Sequence, residues 1–173
     1  MKKPHTTPTN VETLLKQGDF IVSKTNTKGI ITYCNRIFMN MAGYDEDELI
    51  GVNHNIIRHP DMPRVAFKLL WDTVQKGEEF FAFVKNLRKD GGFYWVFTHI
   101  VADFDSNGNI VGYTSVRRIA NRNAIEAVTP LYAQMVQAER SGGMEASGKI
   151  LFDFLDSNNI EYTQLILSLQ GGN

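Results

Sequence analysis

Three consecutive β-rich segments joined by two tight turns constrain the fold of this chain more than any other feature. The segments, residues 80–86, 93–101 and 110–117, are dominated by aromatic and β-branched side chains, which favour strands. Residues 89–92 and 105–109 separate them, and both linkers contain aspartate and glycine. Such linkers favour tight turns, so neighbouring segments are expected to pair as antiparallel hairpins. The pattern predicts a three-stranded antiparallel sheet.

A further hairpin and several short helices are predicted ahead of this sheet. Two β-branched runs, residues 20–23 and 30–33, flank a turn in which Gly29 can adopt a positive φ angle. Apolar residues at helical spacing indicate one helix over residues 35–42 and a longer one over residues 63–77. The chain therefore consists of two strands, several short helices and three further strands.

This order of elements predicts an α+β fold with helices on one face of a single sheet. For the first two strands to join the later three, the five-stranded antiparallel sheet must take the strand order 2-1-5-4-3. A hollow of ligand size then lies beneath the helices. The eleven phenylalanines, six tyrosines and two tryptophans supply flat surface to line it, although an aromatic core without a ligand is the alternative.

The chain divides into an N-terminal arm, a central domain and a helical extension. We assign residues 1–17 to the arm, residues 18–120 to the domain and residues 121–173 to the extension. The formal net charge of −1 gives no general argument for binding nucleic acid or an anionic membrane. The extension is acidic, which is compatible with docking on the domain or with a basic ligand pocket in the domain.

The expected location is the cytoplasm. The chain contains no run of 18 consecutive apolar residues, so no membrane span is predicted. The lysines near the N-terminus are not followed by an apolar segment, which argues against a signal peptide. The single cysteine, Cys34, excludes an internal disulfide and fits a reducing compartment, and we expect it to be a small buried residue.

The loop of residues 57–63 concentrates polar and conformationally restricted side chains immediately before the long helix. It contains Arg58, His59 and Asp61 together with two prolines. Prolines fix φ and remove backbone donors, so the loop is expected to be stiff and non-helical. Stiff polar loops beside a core often hold anionic or polar ligands, although a surface loop that ends ahead of a helix has the same pattern.

The C-terminal extension has the four-three apolar spacing of paired helices. The spacing runs over residues 124–138 and again over residues 151–169, with a break at residues 141–143. Asn158 falls at a seam position, where it would fix the register of pairing. Pro130 either lies in the first turn of its helix or kinks it. The helices either lie on the chain's own sheet or face a partner.

The order of elements and a set of short motifs resemble a PAS domain, and more closely the flavin-binding PAS domain of bacterial aerotaxis receptors. The resemblance extends over roughly residues 20–140. The general PAS pattern is carried by Gly29, Asn35, Gly43-Tyr44, Leu49-Ile50-Gly51 and Asp90-Gly91. The closer match is carried by Asn53-His54-Asn55, Arg58-His59-Pro60-Asp61-Met62-Pro63, Trp71, Lys76-Gly77-Glu78, Val84-Lys85-Asn86, Arg88-Lys89, Tyr94-Trp95-Val96, Val128 and Pro130-Leu131-Tyr132.

This resemblance implies a redox or oxygen sensor that holds FAD without a covalent bond. In that interpretation Arg58 pairs with phosphate oxygens of the FAD pyrophosphate through two parallel hydrogen bonds. His59 and Asp61 either orient Arg58 or bind ribose hydroxyls.

The resemblance also implies roles for three residues around the flavin ring. Asn86, expected at the end of a central strand, donates to and accepts from the polar edge of the ring. Trp71 and Phe80 are expected to flank the ring, while ordinary core packing is the alternative for Trp71. Phe80 stands where an aerotaxis receptor typically has tryptophan, so this chain offers an aromatic face without an indole N–H.

The family also implies partners. Aerotaxis receptors continue into a membrane anchor and a signalling coiled coil, neither of which these 173 residues contain. The resemblance therefore implies a separate partner, a membrane-bound methyl-accepting transducer or its signalling helices, unless the chain is part of a longer receptor. We also expect a homodimer.

Two other functions remain open. A haem-binding PAS oxygen sensor needs an axial ligand, usually a histidine, for which the long helix offers none and His54, His59 and His99 are the candidates. A ligand-free PAS module would instead fill the hollow with its own side chains and act through the extension. An enzyme is not expected, because no nucleophile–base pair, metal-spaced cluster or phosphate-binding glycine pattern occurs.

Overall fold

A single five-stranded antiparallel sheet forms the centre of the computed structural model, which describes residues 6–171. Its strands are β1 Ile21–Asn26, β2 Ile31–Cys34, β3 Phe80–Leu87, β4 Phe93–Phe104 and β5 Ile110–Arg118. They lie in the order β2-β1-β5-β4-β3, which confirms the predicted arrangement and makes β3 an edge strand. The first five residues of the expected arm and the last two of the extension lie outside the described residues.

Short helices connect the two parts of the sheet, and a helical extension follows it. The connecting helices are α1 Arg36–Ala42, α2 Glu46–Leu49, a 3-10 turn His54–Ile57 and α3 Arg64–Val74, and the extension contains α4 Arg122–Ser157 and α5 Tyr162–Gly171. Asn35 caps α1 by accepting from the Phe38 amide at 3.0 Å, and Gly43 ends α1 at φ 76°. No helix within residues 6–171 is both long and apolar enough to cross a membrane.

The two faces of the sheet are covered by different helices. On the inner face, Tyr94 and Val96 of β4 pack with Phe38 of α1. On the outer face, Phe83 and Phe97 pack with the first half of α4. This separation follows from the alternation of side chains along each strand. The extension thus lies on the chain's own sheet, which was one of the two predicted alternatives.

The long helix α4 is interrupted at one glycine. Pro130 lies in the interior of α4 and therefore does not belong to its first turn. The residue at which α4 leaves helical angles is Gly143, with φ 64° and ψ −163°. Glycine reaches such angles without a steric penalty, so the predicted break at residues 141–143 is confirmed.

The prediction of a second continuous seam over residues 151–169 is wrong, because these residues do not form a single helix. The chain turns between α4 and α5, where Asn159 adopts a left-handed conformation at φ 47°. Asn158 Nδ2 donates to the carbonyl of Phe154 at 2.7 Å. Asn158 therefore terminates α4 and does not fix a register of helix pairing.

The free edge of β3 is closed by other parts of the chain. The hydroxyl of Tyr132 in α4 donates to the Phe83 carbonyl at 2.9 Å, and Arg58 forms an isolated antiparallel bridge with Asn86. Beside the β3–β4 turn, the amide of Thr9 donates to the carbonyl of Gly91 at 2.8 Å. Covering an edge strand in this way protects it from pairing with other chains.

Candidate ligand-binding cavity

A cavity of about 430 Å³ lies between the inner face of the sheet and the helices. Its volume falls within the range of typical ligand sites, about 300–1,000 Å³. Strand residues line one wall, namely Ser23, Thr25, Asn86, Ile100, Tyr113 and Ser115. The 3-10 turn, the loop and α3 line the other, through His54, Ile57, Arg58, Phe67, Leu70 and Trp71. The cavity lies where the order of elements predicted a hollow.

Trp71 gives the cavity a flat aromatic surface that is held from two sides. Its ring meets that of Tyr113 edge to face, with centroids 5.3 Å apart and an interplanar angle of 80°. On another side, Gly29 in the β1–β2 turn approaches so closely that an added Cβ atom would lie 3.3 Å from the indole ring. Gly29 therefore meets two requirements, a positive φ of 76° and a close approach to Trp71.

Asn86 supplies a buried polar group to the cavity wall. It lies on the edge strand β3, which corrects the expectation of a central strand. The residue is 4% exposed; its side chain interacts with the Tyr94 hydroxyl, but its Nδ2 makes no hydrogen bond of good geometry among the described residues. An unsatisfied buried donor costs about 1–3 kcal/mol. An acceptor on a bound ligand would remove this cost.

Arg58 lies at the boundary between the cavity and a larger space outside it. Its guanidinium carbon lies 4.0 Å from the ring centroid of Phe67, and the residue lines both the cavity and a larger space outside it. Burial lowers the pKa of Arg58, and this effect outweighs the opposing charge of Glu139, while the nearby charge of Arg64 lowers the pKa further. Arg58 is therefore a partly desolvated cation that can reach a ligand on either side.

The larger space, which we call the outer groove, has a volume of about 660 Å³ and lies between the N-terminal arm, the loop and α4. Three arginines line it, Arg58, Arg64 and Arg140, together with the carboxylate of Glu139. Glu139 already accepts hydrogen bonds from the backbone amides of Arg64 and Val65, at 2.9 and 3.0 Å. The groove thus carries an excess of positive charge, as a site for phosphate groups requires.

His59 and Asp61 contribute to the shape of the loop and do not line the cavity. The ring of His59 is 2% exposed in the folded chain, and its Nδ1 accepts from the Asp61 amide at 3.1 Å. The exposed carboxylate of Asp61 pairs with Lys85 Nζ at 2.7 Å. His59 lines the outer groove. Both residues support the loop that carries Arg58. Asp61 lines neither the cavity nor the outer groove.

Phe80 lies away from the cavity wall. Its ring stacks on Tyr162 of α5, with centroids 5.6 Å apart and an interplanar angle of 14°. It also packs with Val74 of α3. The structure therefore brings Arg58, Trp71 and Asn86 together around the cavity and leaves Phe80 in the contact between the sheet and the extension.

A polar cluster behind the cavity wall was not anticipated from the sequence. Arg117 of β5, 2% exposed, donates from Nη2 to the hydroxyl of Ser23 at 2.5 Å. The Ser23 hydroxyl also lies 3.0 Å from His54 Nε2. The Phe38 ring lies beneath both, 4.5 Å from the Arg117 guanidinium and 5.6 Å from the His54 ring. The alternation along β5 is the signal that could have found it, because Arg117 shares the inner face with Tyr113 and Ser115.

The ionisation of this cluster is set by burial. Desolvation, followed by the charge of Arg117, lowers the pKa of His54 to about 3. Desolvation lowers the pKa of Arg117 to about 10, against the opposing effect of Tyr94. At neutral pH His54 is therefore neutral and Arg117 remains a cation.

Comparisons with known proteins match this architecture. A family described as "PAS fold" matches residues 31–117. The aerotaxis receptor of Escherichia coli (strain K12) is 41% identical over 128 residues, which cover 74% of this chain and 25% of that protein. The nitrogen fixation regulatory protein of Klebsiella pneumoniae is 26% identical over 106 residues, covering 61% and 21%. The chain thus spans about a quarter or less of the length of these relatives.

Solved structures agree with the family match. A light-oxygen-voltage (LOV) domain studied with a flavin analogue superposes with a TM-score of 0.57 at 26% identity, covering 66% of this chain and 85% of that one. The LOV domain of the blue-light photoreceptor Aureochrome1 gives a TM-score of 0.54 at 25% identity, covering 72% and 91%. The resemblance to aerotaxis receptors is confirmed, and the chain belongs to the PAS family.

Proposed function

We propose that this chain is a sensory PAS domain that binds FAD without a covalent bond and reports redox or oxygen state to a chemotaxis partner. The observation that carries the proposal is the buried amide of Asn86, which lines the cavity and whose Nδ2 makes no hydrogen bond of good geometry among the described residues. A flavin ring presents carbonyl and nitrogen acceptors along one edge. Asn86 can donate to that edge and accept from it.

The walls of the cavity fit a flat ring with one polar edge. Trp71 offers an aromatic face, and the strand wall offers the hydroxyls of Ser23, Thr25 and Ser115 in addition to the amide of Asn86. A bound flavin supplies reversible electron uptake and release. The residues of this chain bind the ring, orient it and exclude water from it.

The similarity to known proteins supports a flavin sensor. The Escherichia coli relative is an aerotaxis receptor, and a superposable LOV domain was studied with a flavin analogue. Both similarities extend over more than half of this chain. They support the class of function, while the identity of the flavin rests on the chain's own residues.

The outer groove favours a dinucleotide over a mononucleotide. Arg58 lines the cavity and the groove, so a ligand whose ring occupies the cavity can extend past Arg58 towards Arg64 and Arg140. A pyrophosphate is the group that such a set of arginines suits, because guanidinium binds phosphate oxygens through paired hydrogen bonds. We therefore propose FAD, with the pyrophosphate at Arg58.

The absorbance spectrum of the purified chain tests the proposal. We expect flavin bands and release of FAD on denaturation, identified by chromatography. Release of FMN would retain the ring site and contradict the phosphate role of Arg58. A Soret band would favour the haem alternative, for which His54 is the histidine that lines the cavity. A colourless chain that takes up no added flavin would favour the ligand-free module.

The proposal extends to the partner. We keep residues 18–120 as the sensor, residues 121–173 as the output extension, and the cytoplasm as the location. The extension exposes large apolar side chains, including Phe152 at 66% and Leu167 at 43%. Exposed apolar residues of this kind suit contact with a second copy of the chain and with the helices of a membrane-bound methyl-accepting transducer. The chain acts by binding and not as an enzyme.

A further inference from the structure

Arg117 is a buried cation for which the described part of the chain provides no carboxylate partner. No ion pair among the described residues includes it, and its Nε has no hydrogen-bond acceptor there. Its contacts are the Ser23 hydroxyl and the face of the Phe38 ring. Burying a charge without a counter-charge is costly, and such a charge is retained where something else compensates it.

The titratable groups that interact with Arg117 are uncharged near neutral pH. The titratable groups that act on it are His54 of the 3-10 turn and Tyr94 of β4. The pKa of His54 lies at about 3 and that of Tyr94 at about 12, both displaced mainly by burial. Neither carries a charge near neutral pH. The cluster therefore has a net charge of one positive unit.

Arg117 is one layer behind the polar wall of the cavity. Ser23, its hydrogen-bond partner, lines the cavity, and so does His54 on the other side of the Ser23 hydroxyl. Ser115, two residues before Arg117 on the same face of β5, lines it as well. A negative charge on a ligand in the cavity would thus face this cation across the Ser23 hydroxyl.

We propose that Arg117 is the counter-charge for negative charge that develops on the bound ring, and that it raises the redox potential at which the sensor is reduced. This inference rests on the proposed flavin function. Two electrons from an external reductant such as dithionite, with one proton from solvent, convert a neutral ring into a monoanion, whereas a second proton would make it neutral. Arg117 favours the monoanion. It is a positioning residue that acts through Ser23.

The midpoint potential of the bound flavin tests the inference. It is measured by dye-linked reductive titration at several pH values between about 6 and 8, a range in which His54 and Tyr94 do not titrate. In the wild type we expect one proton taken up per two electrons. In Arg117→Met we expect two protons per two electrons and a preference for the reduced state weaker by tenfold or more, which is about 30 mV for a two-electron couple. Arg117→Lys, which keeps the charge, should restore most of the potential.

Two controls separate the outcomes. Arg118→Met removes an exposed arginine next in sequence and should leave the potential unchanged. Arg117→Gln can still donate to Ser23 and replaces Arg117→Met if that variant does not fold. A wild type that takes up two protons per two electrons overturns the inference without any variant, as does a flavin-loaded Arg117→Gln with the wild-type potential. A wild type that binds no flavin would instead reject the proposed function.

Discussion

At the scale of single residues, the polar side chains of the loop and the sheet divide between two spaces that meet at Arg58. Asn86 lines the cavity, His59 lines the outer groove, and Arg58 lines both. Asp61 stabilises the loop through Lys85. The loop motif therefore combines Arg58, which lines both spaces, with neighbours that hold its backbone in place.

Replacing Arg58 with alanine should weaken FAD retention. Loss of a charge-assisted pair with phosphate costs about 1.5–3 kcal/mol, which corresponds to roughly ten- to a hundredfold in the dissociation constant. Equilibrium dialysis of the apoprotein with FAD and with FMN measures the effect. The loss should be larger for FAD. Arg36→Ala, at an exposed position of α1, is the control, and equal flavin content in the two variants would show that the phosphate site lies elsewhere.

The depressed pKa of His54 predicts a dependence of stability on pH. The unfolded histidine binds a proton below its ordinary pKa of 6.5, while the folded one stays neutral down to about 3. The free energy of unfolding should therefore fall as pH drops from about 6.5, with a slope of at most about 1.4 kcal/mol per pH unit from this residue. Urea unfolding between about pH 5 and 7.5 should show a shallower slope for His54→Gln than for the wild type.

His99→Gln is the matched control for this prediction. His99 lies on the outer face of β4, where it stacks on Phe81 with ring centroids 4.5 Å apart. The pH slope of His54→Gln is compared with that of this variant as well as with that of the wild type. Identical slopes for the wild type and His54→Gln would mean that His54 binds a proton as readily in the folded chain as in the unfolded one.

Each of the site residues that the sequence predicted stands in a recognisable local motif. Arg58 stands in a proline-bounded loop, and Trp71 stands in a helix with a clear apolar period. Arg117 was missed because an arginine in a strand usually points to solvent. The alternation along β5 could have placed it on the inner face, but only the pairing of β5 with β1 shows that Ser23 and Arg117 meet. That contact joins residues 94 positions apart in sequence, beyond the reach of local patterns.

At the scale of elements, α4 is tied to the start of α3 by Glu139. Its carboxylate accepts from the first amides of α3 and from the Ser147 hydroxyl at 2.8 Å, which lies beyond the break at Gly143. Burial acts to raise the pKa of Glu139, but the hydrogen bonds from Arg64, Ser147 and Val65 outweigh it and lower the pKa. One side chain thus joins both halves of α4 to the helix that follows the loop.

Glu139→Gln should destabilise the chain by about 1–3 kcal/mol, because charge-assisted hydrogen bonds to a helix N-terminus are lost. Urea unfolding at neutral pH measures the difference, with Glu145→Gln as an exposed control in the second half of α4. Since the folded pKa is lowered, the stabilisation is present above the ordinary value of 4.5 and declines as pH falls through the folded pKa. A variant as stable as the control would contradict this role.

The element that the sequence misassigned is the end of the extension. Apolar spacing of four and three continues from α4 into α5, since both helices bury residues against the same sheet and α3. Spacing alone does not reveal a turn between them. The signal is Asn158 followed by Asn159, a pair suited to a helix end and a left-handed residue, but the continuous apolar period masks it.

At the scale of the whole molecule, the sheet separates the cavity from the extension. Asn86 and Phe83 lie on opposite faces of β3, and Phe83 accepts from Tyr132 of α4 through its carbonyl. The strand order was predictable because turn chemistry fixed two hairpins and the remaining strands had one way to join them. The coverage of the outer face was not predictable, because an apolar helix face packs equally well on its own sheet and on a partner.

Redox state is expected to bias the association of the extension. Reduction changes the hydrogen-bonding pattern at the ring edge that we assign to Asn86, so β3 and the packed α4 should differ between the two states. Analytical ultracentrifugation and transducer-binding assays with flavin oxidised and reduced measure this difference. Asn86→Ala should abolish it, whereas Asn40→Ala, exposed on α1, should preserve it. Equal binding of the oxidised and reduced wild type would contradict the switch.

The positions of the two tryptophans give the molecule two separate optical reporters. Trp71 lines the cavity, whereas Trp95 lies near Tyr132 beneath α4, with ring centroids 6.4 Å apart. A flavin in the cavity would quench the emission of Trp71 by energy transfer, and release of α4 would shift the emission of Trp95 to longer wavelength. In Trp71→Phe the remaining emission comes from Trp95 alone. Occupancy and output can therefore be followed by fluorescence in one unlabelled chain.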